Sequence, residues 1–303
     1  MPFDFKKEYK DLYMPKAKPV FVEVPSMTFL AVAGTGDPNE PDGAYAQAIE
    51  LLYGLSYAVK MAKMGAWQPE GYFDYVVPPL EGLWWAGEGA FDGARIVGKS
   101  ALSWVSLIRQ PDFVTPEVFA WACTKLAEKK PALTDACEAA GEHVAGAPCL
   151  VRFAEGPCVQ VMHRGLYDSE PATVAKLATY MREEGFACDI APGGESPVGH
   201  AARSPFDVSH VLAVLDAGDA VPDIRLHHEI YLSDPRRTKP ENLKTVIRHP
   251  VRRAVEGAGL AVRVAAESCG YRPSDQPLPE KDRERLCDDM YDRMLEEMEA
   301  RCR

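Results

Sequence analysis

The segment near residue 230 contains the side chains with the clearest capacity for chemistry. It reads HHEIYLSDPRR over residues 227–237. Successive side chains of a β-strand point to opposite faces, so His227, Glu229 and Tyr231 share one face. If Ile230 faces the core, Glu229 and Tyr231 face a groove. A carboxylate beside a phenol can attract a cation, or it can activate water as a general base once burial raises its pKa.

The same segment also fits a role without chemistry. In that alternative the strand face is exposed, and Glu229 forms a salt bridge with Arg236 or Arg237. The residue types leave both alternatives open. We name Glu229 and Tyr231 as candidate catalytic residues on the first alternative.

A second segment, PPLEGLWW at residues 78–85, is the densest aromatic cluster of the chain. On a strand, Trp84 and Trp85 point to opposite faces, so one can belong to the core while the other lines a cavity. Tyr75 lies close by, and its ring adds flat surface with a polar end. A purely aromatic core is the alternative. Glu81 favours a ligand-binding surface, because a carboxylate among so many rings suits more than packing.

Other catalytic patterns are missing from the sequence. It contains no zinc pattern of the HxxxH or HExxH type, and no GxSxG, Walker A or GxGxxG motif. We therefore expect no metal and no cofactor. His163 is interpreted as a hydrogen-bonded structural histidine within reach of the groove. Arg248, His249, Arg252 and Arg253 are interpreted as a solvated basic face.

Composition limits the classes of partner. The chain has 303 residues, 47% of them hydrophobic, and a formal net charge of −11. That charge argues against nucleic acid and against an anionic membrane surface. Residues 1–18 are polar, lack an apolar signal core and are predicted to form an arm before the first strand. We expect a cytoplasmic protein whose eight cysteines are free thiols.

The pattern of apolar residues predicts alternating strands and helices. Residues 19–38 are typical of one bent or two short strands, and 103–111 of another strand. A helix is predicted from Ala44 to Met64 with Asp42 as N-cap, and another from Thr115 to about Lys130.

The second half of the sequence weakly repeats the first. Pro25 precedes Gly34 by nine positions, and Pro157 precedes Gly165 by eight. Each segment runs into an amphipathic helix, the second over 171–185, and then into a strand. The repeat predicts two strand–helix–strand modules related by pseudo-twofold symmetry, with a ligand groove between their sheets.

The predicted domain organisation follows from this repeat. A ligand-binding domain spans residues 1–250 and contains modules at about 19–130 and 150–250. An insertion occupies 189–224, and a C-terminal helical extension occupies 251–303. The extension carries Leu and Met at four-residue spacing, which is typical of an apolar helix face.

Several segments of the chain resemble the long GyrI-like proteins. The resemblance covers residue 3 to about 188 and 226 to about 251, and EGLWW followed by HHEIYLSDPRR is its most specific part. The insertion at 189–224 and the tail from 251 depart from the family pattern. The segments are DFKKEYKDLYMPK, EVPSMTFLAVAGTGDPNE, YFDYVVPPLEGLWW, IRQPDFVT, RGLYDSEPATVAKL and HHEIYLSDPRRTKPENLKTVIRHPV.

This resemblance implies an α+β fold of two pseudo-twofold βαββ modules, SHS2-like, with antiparallel sheets flanking a central ligand groove. Members bind bulky hydrophobic or cationic xenobiotics, and a subgroup hydrolyses the cyclopropane of DNA-alkylating natural products within an aromatic cage. On this chain the resemblance places Tyr75, Trp84 and Trp85 in the cage. Glu229 and Tyr231 become its acid–base pair, and Glu81 and Tyr167 are second candidates for ligand binding.

Two other functions stay open at this point. The same rings and carboxylates suit a non-catalytic protein that sequesters small molecules. The acidic surface, with its net charge of −11, also suits a module that inhibits a partner protein by imitating nucleic acid. We expect no helix-turn-helix domain, so the chain is not predicted to be a DNA-binding regulator.

Overall fold

The computed structural model describes residues 2–65, 67–86, 99–166, 169–190 and 207–254. Tyr167 and nearly all of the predicted C-terminal extension lie outside the described residues. Seven strands form one sheet. They are β1 Val20–Thr35, β2 Leu80–Ala86, β3 Leu102–Arg109, β4 Pro148–Arg164, β5 Phe186–Cys188, β6 His227–Tyr231 and β7 Lys244–Arg253.

Strand pairing closes this sheet into a barrel-like ring. The hydrogen-bonded order is β4–β1–β3–β2–β6–β7, β7 pairs again with β4, and every pair is antiparallel. Strand β5 pairs with the end of β7. The order β1–β3–β2 in the first half is matched by β4–β7–β6 in the second. Pairing order alone does not establish a symmetry axis, so the pseudo-twofold relation of the modules stays a prediction.

Seven α-helices lie among the described residues. They are α1 Phe5–Glu8, α2 Lys10–Tyr13, α3 Ala44–Lys60, α4 Pro116–Lys129, α5 Thr134–Glu138, α6 Pro171–Glu183 and α7 Val208–Leu215. Helix α3 packs against β1 and β3, and α6 packs against β4 and β7. None of these helices combines the length and the apolar character that crossing a lipid bilayer requires.

The helix boundaries mostly follow the sequence signals. Thr115 caps α4 as predicted, since its hydroxyl accepts a hydrogen bond from the Val118 amide at 3.4 Å. The N-cap predicted for α3 was wrong. Gly43 occupies that position, and Asp42 lies one residue outside it with a φ of 58°. A residue in that left-handed conformation belongs to a turn rather than to an N-cap.

The N-terminal segment is not the polar arm that its lysines predicted. Phe5, Leu12 and Tyr13 are buried in the main core, while the lysines point outward. Phe3 also forms a parallel bridge with Tyr75. The segment was misinterpreted because its apolar residues are few and widely spaced, although each is large enough to pack.

The predicted insertion contains helix α7 rather than loop alone. Val211, Leu212 and Leu215 are buried, and α7 contacts β1, β3 and β4. The insertion is held at its ends by Arg225, which pairs with Asp189 at 2.8 Å. The cysteines in the described part of the chain are unpaired thiols, as predicted.

Candidate functional site

Strand β6 lies between β2 and β7 and presents Glu229 and Tyr231 on the same face. Gly82 of β2 is the register partner of Glu229, and Ile247 of β7 lies on its other side. Ile230, on the opposite face, is fully buried. The alternation predicted from the sequence therefore gives the correct orientation of this strand. The Glu229 side chain is 13% exposed, so it lies at the edge of the core.

Trp84 is joined to Tyr231 across the two strands. The Trp84 Nε1–H donates a hydrogen bond to the Tyr231 hydroxyl oxygen at 2.8 Å. Gly82 makes this approach possible, because a Cβ at that position would come within 2.5 Å of Trp84 Nε1 and 3.2 Å of the Tyr231 hydroxyl. The glycine of the EGLWW segment therefore has a defined steric role.

Two further rings, from Tyr45 and Trp104, surround this pair. The ring of Tyr45, at the start of α3, lies 5.4 Å from the ring of Trp84 and 5.1 Å from that of Trp104. These distances are typical of favourable aromatic contacts. Sequence analysis assigned Tyr45 only to the apolar face of a helix and gave Trp104 no role. The available signal was the strand pattern of β3, which places Trp104 opposite Trp84.

His227 controls the charge of Glu229. Its Nε2 lies 3.0 Å from Glu229 Oε1. Burial raises the pKa of Glu229, but hydrogen bonds from His227 and Tyr231 and the charge of His227 outweigh it, so the pKa lies below the usual value. We conclude that Glu229 is an anion at neutral pH. Burial, reinforced by the Glu229 charge, raises the pKa of Tyr231 well above that of a free phenol, so Tyr231 remains a neutral donor.

A second carboxyl group, of Glu170, completes the site. It lies immediately before α6, and its carboxylate forms a hydrogen-bond contact with that of Glu229. Ligand atoms of Glu170, His227 and Glu229 all lie within 4.8 Å of one another. Sequence analysis missed Glu170. The predicted repeat was the available signal, because it makes α6 the counterpart of α3, and Tyr45 at the start of α3 and Glu170 before α6 both act on the pKa of Tyr231.

Glu81 lies on the other face of β2, among buried charges. Its carboxylate is 3.0 Å from His228 Nε2 and accepts a hydrogen bond from the Tyr13 hydroxyl at 3.2 Å. His228 also contacts Glu155 at 3.0 Å, and Arg248 contacts Glu155 at 2.9 Å. These groups alternate in charge and are almost completely buried. We call Glu81, His228, Glu155 and Arg248 the internal charge chain.

The internal charge chain has strongly shifted pKa values. Burial alone lowers the pKa of His228, but its two glutamate partners raise it to about 9. Burial alone raises the pKa of Glu155, but His228 and Arg248 lower it to about 2. The interpretation of Arg248 and His249 as a solvated face was wrong, because both side chains are buried.

Two predicted cage residues lie away from the pair formed by Trp84 and Tyr231. Trp85 points to the opposite face of β2 and is buried in the core. Tyr75 is also fully buried, and its ring packs against Phe73 and Phe113 at 6.2 and 6.0 Å. The structure thus brings together Trp84, Glu229 and Tyr231 of the predicted set. Tyr75, Trp85 and Glu81 occupy other places.

The structure also decides the sequence-based interpretations of Arg236, Arg237 and His163. Arg236 and Arg237 form ion pairs with Asp234, at 3.0 and 3.8 Å, instead of with Glu229. His163 is a structural histidine, since its two nitrogens contact the Thr173 hydroxyl at 2.9 Å and the Leu166 carbonyl at 3.0 Å.

The class of this α+β protein is defined by a closed antiparallel sheet that is covered by helices. One face of the sheet carries a half-buried cluster of rings and carboxylates. Three solved structures of Listeria innocua proteins are similar to it. A hydrolase is 39% identical with a TM-score of 0.62, and an uncharacterized conserved protein is 41% identical with a TM-score of 0.64. Both comparisons cover 82% of this chain and 100% of the other. A further hydrolase is 38% identical with a TM-score of 0.63, over 83% and 100% of the two chains.

The chain belongs to the same protein family as these Listeria innocua proteins. No protein-family model matches the chain, and neither does any curated protein.

Proposed function

We propose that this protein is a GyrI-like small-molecule hydrolase that binds flat, hydrophobic compounds and opens the cyclopropane of DNA-alkylating natural products. The observation that carries the proposal is the convergence of Glu229, Tyr231 and Trp84 on one face of two adjacent strands. The name hydrolase given to two relatives of about 40% identity supports an enzyme. The EGLWW and HHEIYLSDPRR segments support the superfamily.

The proposed reaction adds one water molecule to the substrate. Glu229 accepts a proton from water as the water oxygen forms a bond to a cyclopropane carbon. The strained carbon–carbon bond breaks, and its electron pair passes into the conjugated dienone, whose oxygen becomes a phenolate. The Tyr231 hydroxyl, oriented by Trp84, has its single proton directed to Glu229 before the reaction; once Glu229 has taken the proton from water, Tyr231 turns this proton to the substrate oxygen. The proton held by Glu229 finally returns through solvent to the phenolate, which leaves a neutral phenol.

The electrostatics support this division of roles. A general base must be deprotonated before the reaction, and the lowered pKa of Glu229 meets that requirement. The shift is opposite to the raised pKa expected from burial, and it makes Glu229 a weaker base than that expectation implied. A hydrogen-bond donor must retain its proton, and the raised pKa of Tyr231 keeps the proton on its hydroxyl at neutral pH. The half-buried rings of Tyr45 and Trp84 supply flat apolar surface for a planar substrate, and the fully buried ring of Trp104 supports Tyr45 from the core.

A second function, sequestration without chemistry, is favoured by one observation. His227 and Tyr231 already satisfy Glu229 by hydrogen bonds, and a carboxylate held in this way also serves as a fixed counter-charge for a bound ligand. In either function the partner is a small organic molecule. The net charge of −11 supports a ligand other than nucleic acid.

Incubation with a panel of flat hydrophobic compounds, including a cyclopropane-bearing DNA alkylator, tests the proposal. Ligand mass is followed by chromatography and mass spectrometry. We expect the mass of one water to be gained with the wild type and with Glu241→Gln, an exposed control, but not with Glu229→Gln. Unchanged ligand that raises the melting temperature would favour sequestration. Equal turnover by folded Glu229→Gln would contradict the assigned base.

A further inference from the structure

One cluster of possible metal ligands has no joint role in the proposed hydrolysis. It consists of Glu170, His227 and Glu229. Two carboxylates and one imidazole place their ligand atoms within 4.8 Å of one another, and all three residues are half-buried. Atoms bound to one cation at about 2.0–2.2 Å are separated by about 3–4 Å in a tetrahedral or octahedral arrangement. The 3.0 Å separation of His227 Nε2 and Glu229 Oε1 matches one edge of such an arrangement.

His227 is oriented as a metal ligand would be. Its Nδ1 lies 2.8 Å from Nε2 of the buried residue His249, on the side away from the carboxylates. A histidine that binds a metal through one nitrogen commonly uses the other nitrogen to donate a hydrogen bond to a fixed acceptor. His227 would keep its Nδ1 proton toward His249, and its Nε2, which donates to Glu229 in the metal-free protein, would release its proton to bind the ion.

Charge also favours a cation at this position. Two carboxylates in contact at the edge of a protein core repel each other unless a proton or a positive ion lies between them. Their contact is preserved by the fold, because Glu170 is fixed by the start of α6 and Glu229 by the pairing of β6 with β2 and β7. A divalent ion compensates both charges at once and leaves coordination positions open for water.

We propose that Glu170, His227 and Glu229 form a binding site for one first-row divalent cation, with His249 as the outer partner of His227. Mixed oxygen and imidazole ligands suit Mn²⁺, Fe²⁺ and Zn²⁺, whereas Ca²⁺ prefers oxygen alone. No short sequence motif contains the site, because Glu170 and His227 lie far apart in the sequence and belong to different elements. Only the His-x-Glu spacing of 227 and 229 is local, and on a strand it places both side chains on one face.

Titration with Mn²⁺ tests the site without any organic substrate, so its result is independent of the proposed hydrolysis. The electron paramagnetic resonance signal of free Mn²⁺ reports binding, and Mn²⁺ binds weakly to the cysteines of the chain. We expect one ion per wild-type chain, and displacement of that ion by Zn²⁺. His249→Phe should weaken binding roughly 10- to 100-fold, as expected for an outer partner.

Matched variants separate the site from general surface charge. We expect Glu170→Gln and His227→Gln to lose Mn²⁺ binding. Glu183→Gln, an exposed residue of the same helix, and His210→Gln, an exposed histidine of α7, should keep it. Circular dichroism and thermal unfolding confirm that each variant is folded. Failure of the wild type to bind Mn²⁺ would overturn the proposal, as would binding that survives in folded Glu170→Gln and His227→Gln.

Discussion

The two faces of the β2–β6 pair carry the same residue types, histidine and glutamate, at different degrees of burial. On one face, Glu81 and His228 belong to the internal charge chain and are about 1% exposed. On the other, His227 and Glu229 also form a histidine–glutamate contact at 3.0 Å, but they are 22% and 13% exposed. His228 and Glu229 are neighbours in sequence.

The difference between the faces shows how burial assigns roles to identical residue types. Every charge in the internal charge chain has an opposite charge beside it, and Leu12 and Tyr13 of the N-terminal segment close it off. Such a chain stabilises one arrangement of strands. The half-buried face places two carboxyl groups, of Glu170 and Glu229, in hydrogen-bond contact, and such pairs are typical of functional sites.

Removal of Arg248 should produce the largest effect, because it leaves Glu155 buried without its guanidinium partner. We expect Arg248→Met to lower the free energy of unfolding by about 3–5 kcal/mol. Urea denaturation measures the change. Arg252→Met, an exposed neighbour on the same strand, is the control and should have almost no effect. A small effect for Arg248→Met would mean that the internal charge chain is not structural.

Acid should lower the free energy of unfolding, because it protonates Glu155 of the internal charge chain. The pKa of Glu155 is about 2 in the folded protein against a usual value of 4.5, so Glu155 stabilises the fold above pH 4.5. That contribution is lost as the pH falls from 4.5 toward 2, by roughly 3 kcal/mol in total. Urea unfolding at a series of pH values should show this slope in the wild type. In Glu155→Gln the slope should be flatter, and parallel slopes would contradict the assignment.

Loss of the Tyr231 hydroxyl should affect activity far more than stability, which should fall by about 1 kcal/mol with the hydrogen bond from Trp84. If Tyr231 donates to the developing phenolate, Tyr231→Phe should slow hydrolysis roughly 100- to 1,000-fold. The rate of product formation under single-turnover conditions measures the effect. Tyr57→Phe removes an exposed hydroxyl and should leave the rate unchanged. If Tyr231→Phe instead destabilised the fold as much as Arg248→Met, the two faces would not differ in role.

The smallest effect is expected for the hydrogen bond between Trp84 and Tyr231. Trp84→Phe removes the indole donor, and a neutral hydrogen bond at a half-buried position contributes about 1 kcal/mol. Differential scanning calorimetry should show a small decrease in melting temperature. Trp67→Phe, at an exposed tryptophan, provides the comparison. An unchanged melting temperature with weaker ligand binding would mean that Trp84 contributes only to the site.

The sequence predicts those features that depend on local order. Strand alternation placed Glu229 and Tyr231 on one face, and the capping residue Thr115 located the start of α4. The interpretation of Tyr75 and Trp85 as cage residues came from their closeness in sequence to Trp84. Neighbours on a strand point in opposite directions, however, and closeness in sequence does not imply a shared surface.

Features that depend on closure of the ring could not be predicted. Arg248 donates to the backbone carbonyl of Leu12, which lies 236 positions earlier in the chain. The contact of Glu170 with Glu229 likewise requires α6 and β6 to meet after β7 has paired with β4. Such contacts arise from the order of strands in space, and no short motif encodes that order.

The pairing of β4 with β7 also bears on how the protein behaves at high concentration. An open sheet presents unpaired amide and carbonyl groups along its outer strands, which recruit strands of other molecules into aggregates. Here the circuit from β4 through β1, β3, β2 and β6 to β7 returns to β4. Among the described strands, free borders remain along β5, along the part of β1 that precedes its pairing with β3, and along the part of β4 that precedes its pairing with β7. Strand addition is therefore confined to these borders unless the ring opens.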